Sequence, residues 1–278
     1  MESLALAGCA LEDDDLAVLA RFGKLSEVTL ARDMKVGPKG MAHVARLPLL
    51  KRVDLTSIEV TPALLRPLAG AKGLKQIVFE FSPVSDESLA EVDRMTGLTY
   101  LSTRIAKNPI TDEGLEPLAR LTKLTHLDLQ QTDVAGPGLK HVGGLKDLYY
   151  LGLDGSRIDD AGLVHLAKLT ALREVSLTDS RVTGQGLGAL SATKRLHKLN
   201  LKNSPVDDAG AAVIAKLPEV GALDLSGTKV TDASLGHLGR LRGLMSLGLV
   251  ESKVTAAGVE AFRKAHPNVK VWFDPLKD

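Results

Sequence analysis

The fold class predicted for this chain of 278 residues is an α/β solenoid. It is a right-handed coil of strand-turn-helix units, with a parallel sheet on the concave face and short helices on the convex face. Three observations predict it. The sequence repeats every 24 residues in six consecutive blocks without gaps, opening at Leu124, Leu148, Leu172, Leu196, Val220 and Leu244. The blocks share the pattern LxxLxLxx(T/S)x(V/I)(T/D)xxGLxxLxxLxx. Inside each block the apolar spacing changes from alternation to helical spacing. A fixed period in this range marks stacked repeats rather than a globular enzyme fold.

Each element follows from its residues. With the opening Leu as position 1, positions 1, 4 and 6 are apolar, and the alternation from 4 to 6 reads as a strand. Position 9 is Thr132, Ser156, Ser180, Ser204, Thr228 and Ser252 in successive blocks, a short hydroxyl placed to bond the backbone where the chain turns. Position 11 is Val or Ile and returns to the core. Thr111-Asp112 and Thr231-Asp232 show the usual pair at positions 12 and 13, with Thr or Asp as a helix N-cap and Asp in a first turn that favours negative charge. Pro38 and Pro62 stand at the same place in earlier blocks, where a helix tolerates proline. Positions 16, 19 and 22 are apolar at helical spacing.

The upstream blocks open at Leu98, Leu74, Leu50, Leu25 and Met1, which makes eleven units. The block at Leu98 carries two extra residues within 104–110, and the block at Leu25 carries one near Met34. A strand over residues 269–273 closes the series. Strands pair at ~4.8 Å while helices pack no closer than ~8–10 Å, so stacking both curves the array with the sheet inside. A solenoid has no internal boundary where contacts stop, and residues 1–278 read as a single domain.

Composition narrows the class of function. The 35 basic and 34 acidic residues give a net charge of +1, which argues against a broad footprint for nucleic acid. No apolar run reaches the ~18–20 residues that span a bilayer, and the start lacks a secretory signal pattern. The single Cys9 leaves no internal disulfide and favours a reducing, cytoplasmic setting. A secreted effector or one domain of a larger protein are the other settings considered.

The repeat resembles the leucine-rich repeat. LxxLxL followed by Thr or Ser, where many members carry Asn or Cys, is that family's strand segment. The continuation (V/I)TDxGLxxLxxL resembles the ribonuclease-inhibitor-like and cysteine-containing subclasses. It is most similar to the 24-residue form common in bacterial proteins and is related to repeats of F-box adaptors and GALA-type effectors. The resemblance implies a curved binding scaffold. It carries over no catalytic residue, because the motif is structural, and an F-box or ligase domain would lie outside this sequence.

Positions 2, 3, 5, 7 and 8 face the concave side and form columns across the sheet. All three tyrosines of the chain fall there: Tyr100 and Tyr150 at position 3, with His126 between them, and Tyr149 at position 2. Phe81 and Ile105 occupy position 8 of the two blocks upstream. Arg104, Gln130 and Asp154 fill position 7, Asp128 lies at position 5, and Arg173 follows Tyr149 at position 2. Tyr and Arg are enriched at binding hot spots, so these ten residues other than Ile105 are the candidate partner-binding set. Tyr also suits strands for its own sake. Farther out the columns become small: Ala5, Ala7 and Gly8 at one end, Gly221, Ala222, Ser226 and Gly227 at the other. The insertion within 104–110 emerges beside Arg104, as an extension of the site or as a neutral surface loop.

Other groupings read as framework. His43, His141, His165 and His237 share position 18 on the outward helix, where neighbours ~8–10 Å apart do not meet zinc's ~2 Å ligand distance. Asp86, Asp112, Asp160, Asp208 and Asp232 share position 13 and read as helix-start residues. Gly138, Gly162, Gly186 and Gly210 at position 15 read as close packing of the helix start on the next unit. Cys9 reads as half-buried and structural, and Trp272 as part of a C-terminal cap. No metal, cofactor or catalytic residue is expected, and the chain reads as a non-enzyme.

The leading reading is a non-catalytic scaffold that binds a protein partner on its concave face, with neither nucleic acid nor membrane as partner. One alternative is the targeting domain of a larger enzyme or signalling protein. Another is self-association through the N-terminal end, where Met1, Leu4 and Leu6 lack a polar cap other than the acidic stretch 11–15.

Overall fold

The computed structural model describes residues 1–32, 34–104 and 107–274, and the chain falls into two compact units, Met1–Asp133 and Val134–Asp278. In the first unit six parallel strands follow one another in chain order: β1 (Ser3–Leu6), β2 (Glu27–Ala31), β3 (Arg52–Thr56), β4 (Gln76–Glu80), β5 (Tyr100–Arg104) and β6 (His126–Asp128). In the second unit β7 (Tyr150–Gly152), β8 (Glu174–Ser176), β9 (Lys198–Asn200), β10 (Ala222–Asp224), β11 (Ser246–Gly248) and β12 (Lys270–Trp272) do the same. The register is position on position, as in Gln76 beside Tyr100 beside His126. Within each unit, residues at one repeat position therefore stand in a true column. The closing strand is shorter than the sequence predicts, covering Lys270–Trp272.

The leucines carry the core. Leu148, Leu151, Leu153 and Ile158, at positions 1, 4, 6 and 11 of one repeat, are all 0% exposed. Burying each such side chain contributes ~1.5–3 kcal/mol, so the repeat is stabilised mainly by what it hides. Position 9 serves as expected. Thr132 Oγ1 donates to the Leu129 carbonyl at 3.0 Å, and Ser156, Thr228 and Ser252 repeat this bond to Leu153, Leu225 and Leu249. Each bond satisfies a buried hydroxyl and ties the turn to the end of its own strand.

The helices vary in type. Those at Pro62–Leu65, Asp86–Ala90, Asp208–Ile214, Asp232–Leu238 and Ala256–Ala265 are α-helical, and each begins after a side chain that accepts from the first turn: Thr61, Ser85, Asp207, Thr231 and Thr255. The segments Glu113–Arg120 and Gln185–Ala192 have no such acceptor at their N-cap, whereas Gly162–Lys168 has Asp159 accepting from the Gly162 N–H at 3.2 Å, and all three wind as 3-10 helix. Pro117 inside Glu113–Arg120 and Gly186 and Gly188 inside Gln185–Ala192 oppose regular α-winding.

The position-13 aspartates do something other than serve their own helix. Asp86 accepts from the Thr111 N–H at 2.9 Å and the Thr111 hydroxyl at 2.6 Å, one repeat on. Asp160 holds Thr183 in the same way, Asp208 holds Thr231, and Asp232 holds Thr255. The Thr-Asp pair is thus a clamp from one repeat to the next as well as a cap. The position-15 glycine belongs to it: a Cβ on Gly186 would run into the Asp160 carbonyl, and one on Gly114 into the Asp86 carboxylate. The glycine therefore makes room against the preceding repeat rather than the following one. Burial would by itself raise the Asp208 pKa, but hydrogen bonds from Ser234 and Thr231 outweigh it and hold the carboxyl below its ordinary value.

Cys9 departs from its expected half-buried place: it is exposed, with its sulfur 3.5 Å from the Ala7 carbonyl. Among the described residues, no helix is long and apolar enough to cross a membrane, and no three His, Cys, Asp or Glu side chains converge as metal ligands would.

Candidate functional site

In the first unit, β5 and β6 present Tyr100 and His126 side by side, because both occupy position 3 in register. Their rings stack with centroids 5.1 Å apart and an interplanar angle of 19°. Such a pair is worth ~0.5–1.5 kcal/mol beyond its buried area and holds both rings in place at the surface. Upstream on the same column, Arg52 bonds Asp54 at 2.8 Å and Gln76 at 2.9 Å, so this wall is a fixed polar network. Asp128 is 7% exposed rather than on offer to solvent. It accepts from Gln130 Nε2 at 2.8 Å and thereby orients that amide. Arg104 is exposed at the end of β5. Ile105 lies outside the described residues.

Phe81 is the most telling of the set. It is 62% exposed, and its φ is 52°. Position 8 is left-handed repeatedly, in Gly8, Ser57, Gln131, Gly155, Asp179, Asn203, Gly227 and Glu251 as well. Glycine takes that conformation freely, whereas a bulky residue there costs roughly 1–2 kcal/mol. The backbone enforces it, since the Phe81 N–H donates to the Arg104 carbonyl at 2.8 Å. A strained, solvent-facing aromatic at the end of a strand contributes little to the fold that holds it.

In the second unit, Tyr149 and Tyr150 are half-buried neighbours at the start of β7. The Tyr149 hydroxyl donates to Glu174 at 3.3 Å, and the Arg173 guanidinium lies 5.7 Å from the centre of the Tyr149 ring. Glu174 also meets Lys198 at 3.5 Å. Asp154 turns inward to accept from the Ser176 hydroxyl at 2.6 Å and the Thr178 N–H at 2.8 Å. The sequence-predicted set therefore divides. Phe81, Tyr100, Arg104, His126, Asp128 and Gln130 belong to the first unit, and Tyr149, Tyr150, Asp154 and Arg173 to the second. The two aspartates orient their neighbours, while the rings and arginines form the accessible surface.

Sequence reading passed over the concave end of the second unit, where it registered only small residues. There, Lys198, Asn200, Lys202, Ala222, Asp224, Ser246, Gly248 and Trp272 line an open trough of about 470 Å³. Trp272 is 45% exposed and walls this trough rather than capping the core. The signal lay in two consecutive blocks with the small residues Ala222 and Ser246 at position 3, between a block bearing lysines and one bearing Trp.

A family model described as Leucine Rich repeat matches residues 104–119 and 120–142. No curated protein sequence matches the chain. Among solved structures, an internalin (InlF) from Listeria monocytogenes is 19% identical with a TM-score of 0.68, over 94% of this chain and 77% of that one. A TLR13–ssRNA13 complex is 16% identical with a TM-score of 0.68, over 91% of this chain and 36% of that one. The plant peptide hormone receptor RGFR1 in complex with RGF2 is 13% identical with a TM-score of 0.55, over 91% of this chain and 48% of that one. These likenesses, with the parallel strands and their helices, establish the leucine-rich-repeat solenoid fold.

Proposed function

We propose that the chain is a non-catalytic scaffold that binds a protein partner through the exposed face of its strands. In the first unit Tyr100 and His126 are the anchors, with Phe81, Arg104 and Gln130 and with Asp128 orienting Gln130; in the second unit Tyr149 and Tyr150 are the anchors, with Arg173 and with Asp154 bonded to Ser176. The observation that carries this reading is the placement of tyrosine. The chain has three, and each is half-exposed, with Tyr100 stacked on His126 and Tyr149 held by Glu174 and beside Arg173. Rings fixed in advance lose little side-chain entropy on binding, which suits them to hot spots. The peptide complex of the plant receptor fits the same use of this fold. The single thiol of Cys9 is consistent with work in a reducing compartment, and residues 1–278 are taken as one domain.

The test is affinity capture with the wild type against Tyr149→Ala/Tyr150→Ala, followed by titration of the captured partner. Tyr150→Ala should cost ~2 kcal/mol or more in affinity while the thermal midpoint stays nearly unchanged. Equal capture by both proteins, or an unchanged Kd, removes these tyrosines from the site.

A further inference from the structure

We infer that the trough at the C-terminal part of the second unit is a separate docking site. Its occupant is an extended peptide segment that carries a large apolar side chain next to a carboxylate. The inference goes beyond the tyrosine surface and involves none of its residues.

The shape comes from missing side chains. On β10 and β11 the concave positions hold Ala222, Ser246 and Gly248, and Ser226 and Val250 follow at position 7. The next strand on one side is β9, with Lys198 on it and Lys202 just after it, and on the other is β12, with Trp272. Three strand spacings separate β9 from β12, about 14 Å at ~4.8 Å each. Long side chains thus stand at both margins of a floor made of small ones. The floor is lowest at Gly248, where any Cβ would collide with the Asp224 carboxylate. That carboxylate lies across the glycine and accepts from the Ser226 N–H at 2.9 Å.

The chemistry of the walls selects the occupant. The Trp272 ring is 45% exposed and faces a largely apolar floor, so a large apolar side chain would gain burial on two sides. The opposite wall is cationic. Lys202 has no carboxylate within 4.0 Å among the described residues, and Lys198 shares only Glu174, at 3.5 Å, with its side chain 57% exposed. On the Trp272 strand, Lys270 has its ammonium 4.8 Å from the centre of the Trp272 ring and no carboxylate partner among the described residues. The one acidic group in the floor, Asp224, is already turned to a backbone N–H. A carboxylate on the occupant therefore meets Lys202, which no carboxylate balances among the described residues, and the partly balanced Lys198, whereas a cationic partner would meet them as repulsion. The open ends and shallow depth suit an extended chain more than a compact small molecule.

The test is selection of phage-displayed random dodecapeptides on the wild-type protein, with prior depletion on Ala222→Phe. This variant fills the floor without touching the core. Enriched sequences should place Asp or Glu within two residues of Leu, Met, Phe or Trp. A synthetic copy, followed by fluorescence anisotropy, should lose at least tenfold in affinity with Ala222→Phe and at least threefold with Lys202→Glu. Binding should be unchanged with Tyr149→Ala/Tyr150→Ala, so loss here and loss of the tyrosine surface are distinguishable. Trp272→Ala should match Ala222→Phe; if it disturbs the closing strand by circular dichroism, the other two variants decide. No enrichment over the depleted pool, enrichment of basic peptides, or affinity indifferent to Ala222→Phe and Lys202→Glu each overturns the proposal.

Discussion

The strand faces of the two units are built from the same repeat segment and have opposite relief. In the first, position 3 carries Arg52, Gln76, Tyr100 and His126, and the side chains lock onto one another by hydrogen bonds and stacking. In the second, the same column descends from Lys198 to Ala222 and Ser246, and the surface becomes hollow. Both stand on equally buried leucines, such as Leu101 and Leu223, at 0% and 2% exposure. The backbone of a solenoid therefore leaves relief free to vary. A crowded face makes contact with what its residues project, and a hollow face with what they leave open. On the proposed reading, recognition and stability are encoded in different columns.

The strongest way to break that separation is to compare a column from each class. Leu153→Ala removes a fully buried side chain and should cost ~2–5 kcal/mol. Ala222→Phe, on the hollow face, should change stability by no more than ~0.5 kcal/mol. Urea unfolding midpoints for the two variants give the comparison directly. A large loss from Ala222→Phe would show that the small floor is itself part of the packing.

These classes were unequally legible from the residues alone. Leu151, Leu153 and Ser156 announce strand, core and turn, because each depends on contacts set by the 24-residue period. The clamp from Asp208 to Thr231 was hidden, since Thr and Asp sit side by side in one block and suggest a purely local cap. The true partner lies 23 residues along the chain. The trough was hidden for a different reason. Ala222 and Gly248 look like the absence of a site, yet depth requires such absence between tall neighbours. Phe81 was visible as an aromatic, but its left-handed backbone is a property of position 8 that no side-chain pattern reveals, because glycine, serine, glutamate and phenylalanine all occupy it.

A second way to sharpen the comparison is to weaken the framework without touching either face. Asp208→Ala leaves the Thr231 N–H and hydroxyl and the Ser234 hydroxyl without their acceptor, at an expected cost of about 1–3 kcal/mol. The same clamp predicts a pH dependence. The folded pKa of Asp208 is lowered, so its contribution is fully present above the unfolded value of about 3.9 and is lost as pH falls through the lower folded value. The wild type should therefore lose more stability than Asp208→Ala between neutral pH and pH 3, and equal losses would mean that the carboxylate is not a net contributor. Peptide binding at the trough, assayed at neutral pH, should survive this substitution.

The smallest effect expected on the framework lies where the repeat itself departs from its rule. In the block at Leu98 the two extra residues bring Asn108 to the place held elsewhere by Ser or Thr, and Asn108 pairs with Thr132 as an isolated bridge. It is 1% exposed, and neither its side-chain nitrogen nor its oxygen has a hydrogen-bond partner among the described residues. Thr132 next to it shows the satisfied arrangement, with its hydroxyl on the Leu129 carbonyl. An unsatisfied buried polar group costs ~1–3 kcal/mol, so replacing the amide with a hydroxyl that fits the repeat should help. The smaller side chain gives back part of that gain through lost packing, and Asn108→Thr is expected to raise stability by about 1 kcal/mol, read as a higher urea midpoint at unchanged slope. If the midpoint instead falls, the amide is serving the insertion beside Arg104. That insertion then belongs with the recognition columns rather than with the framework.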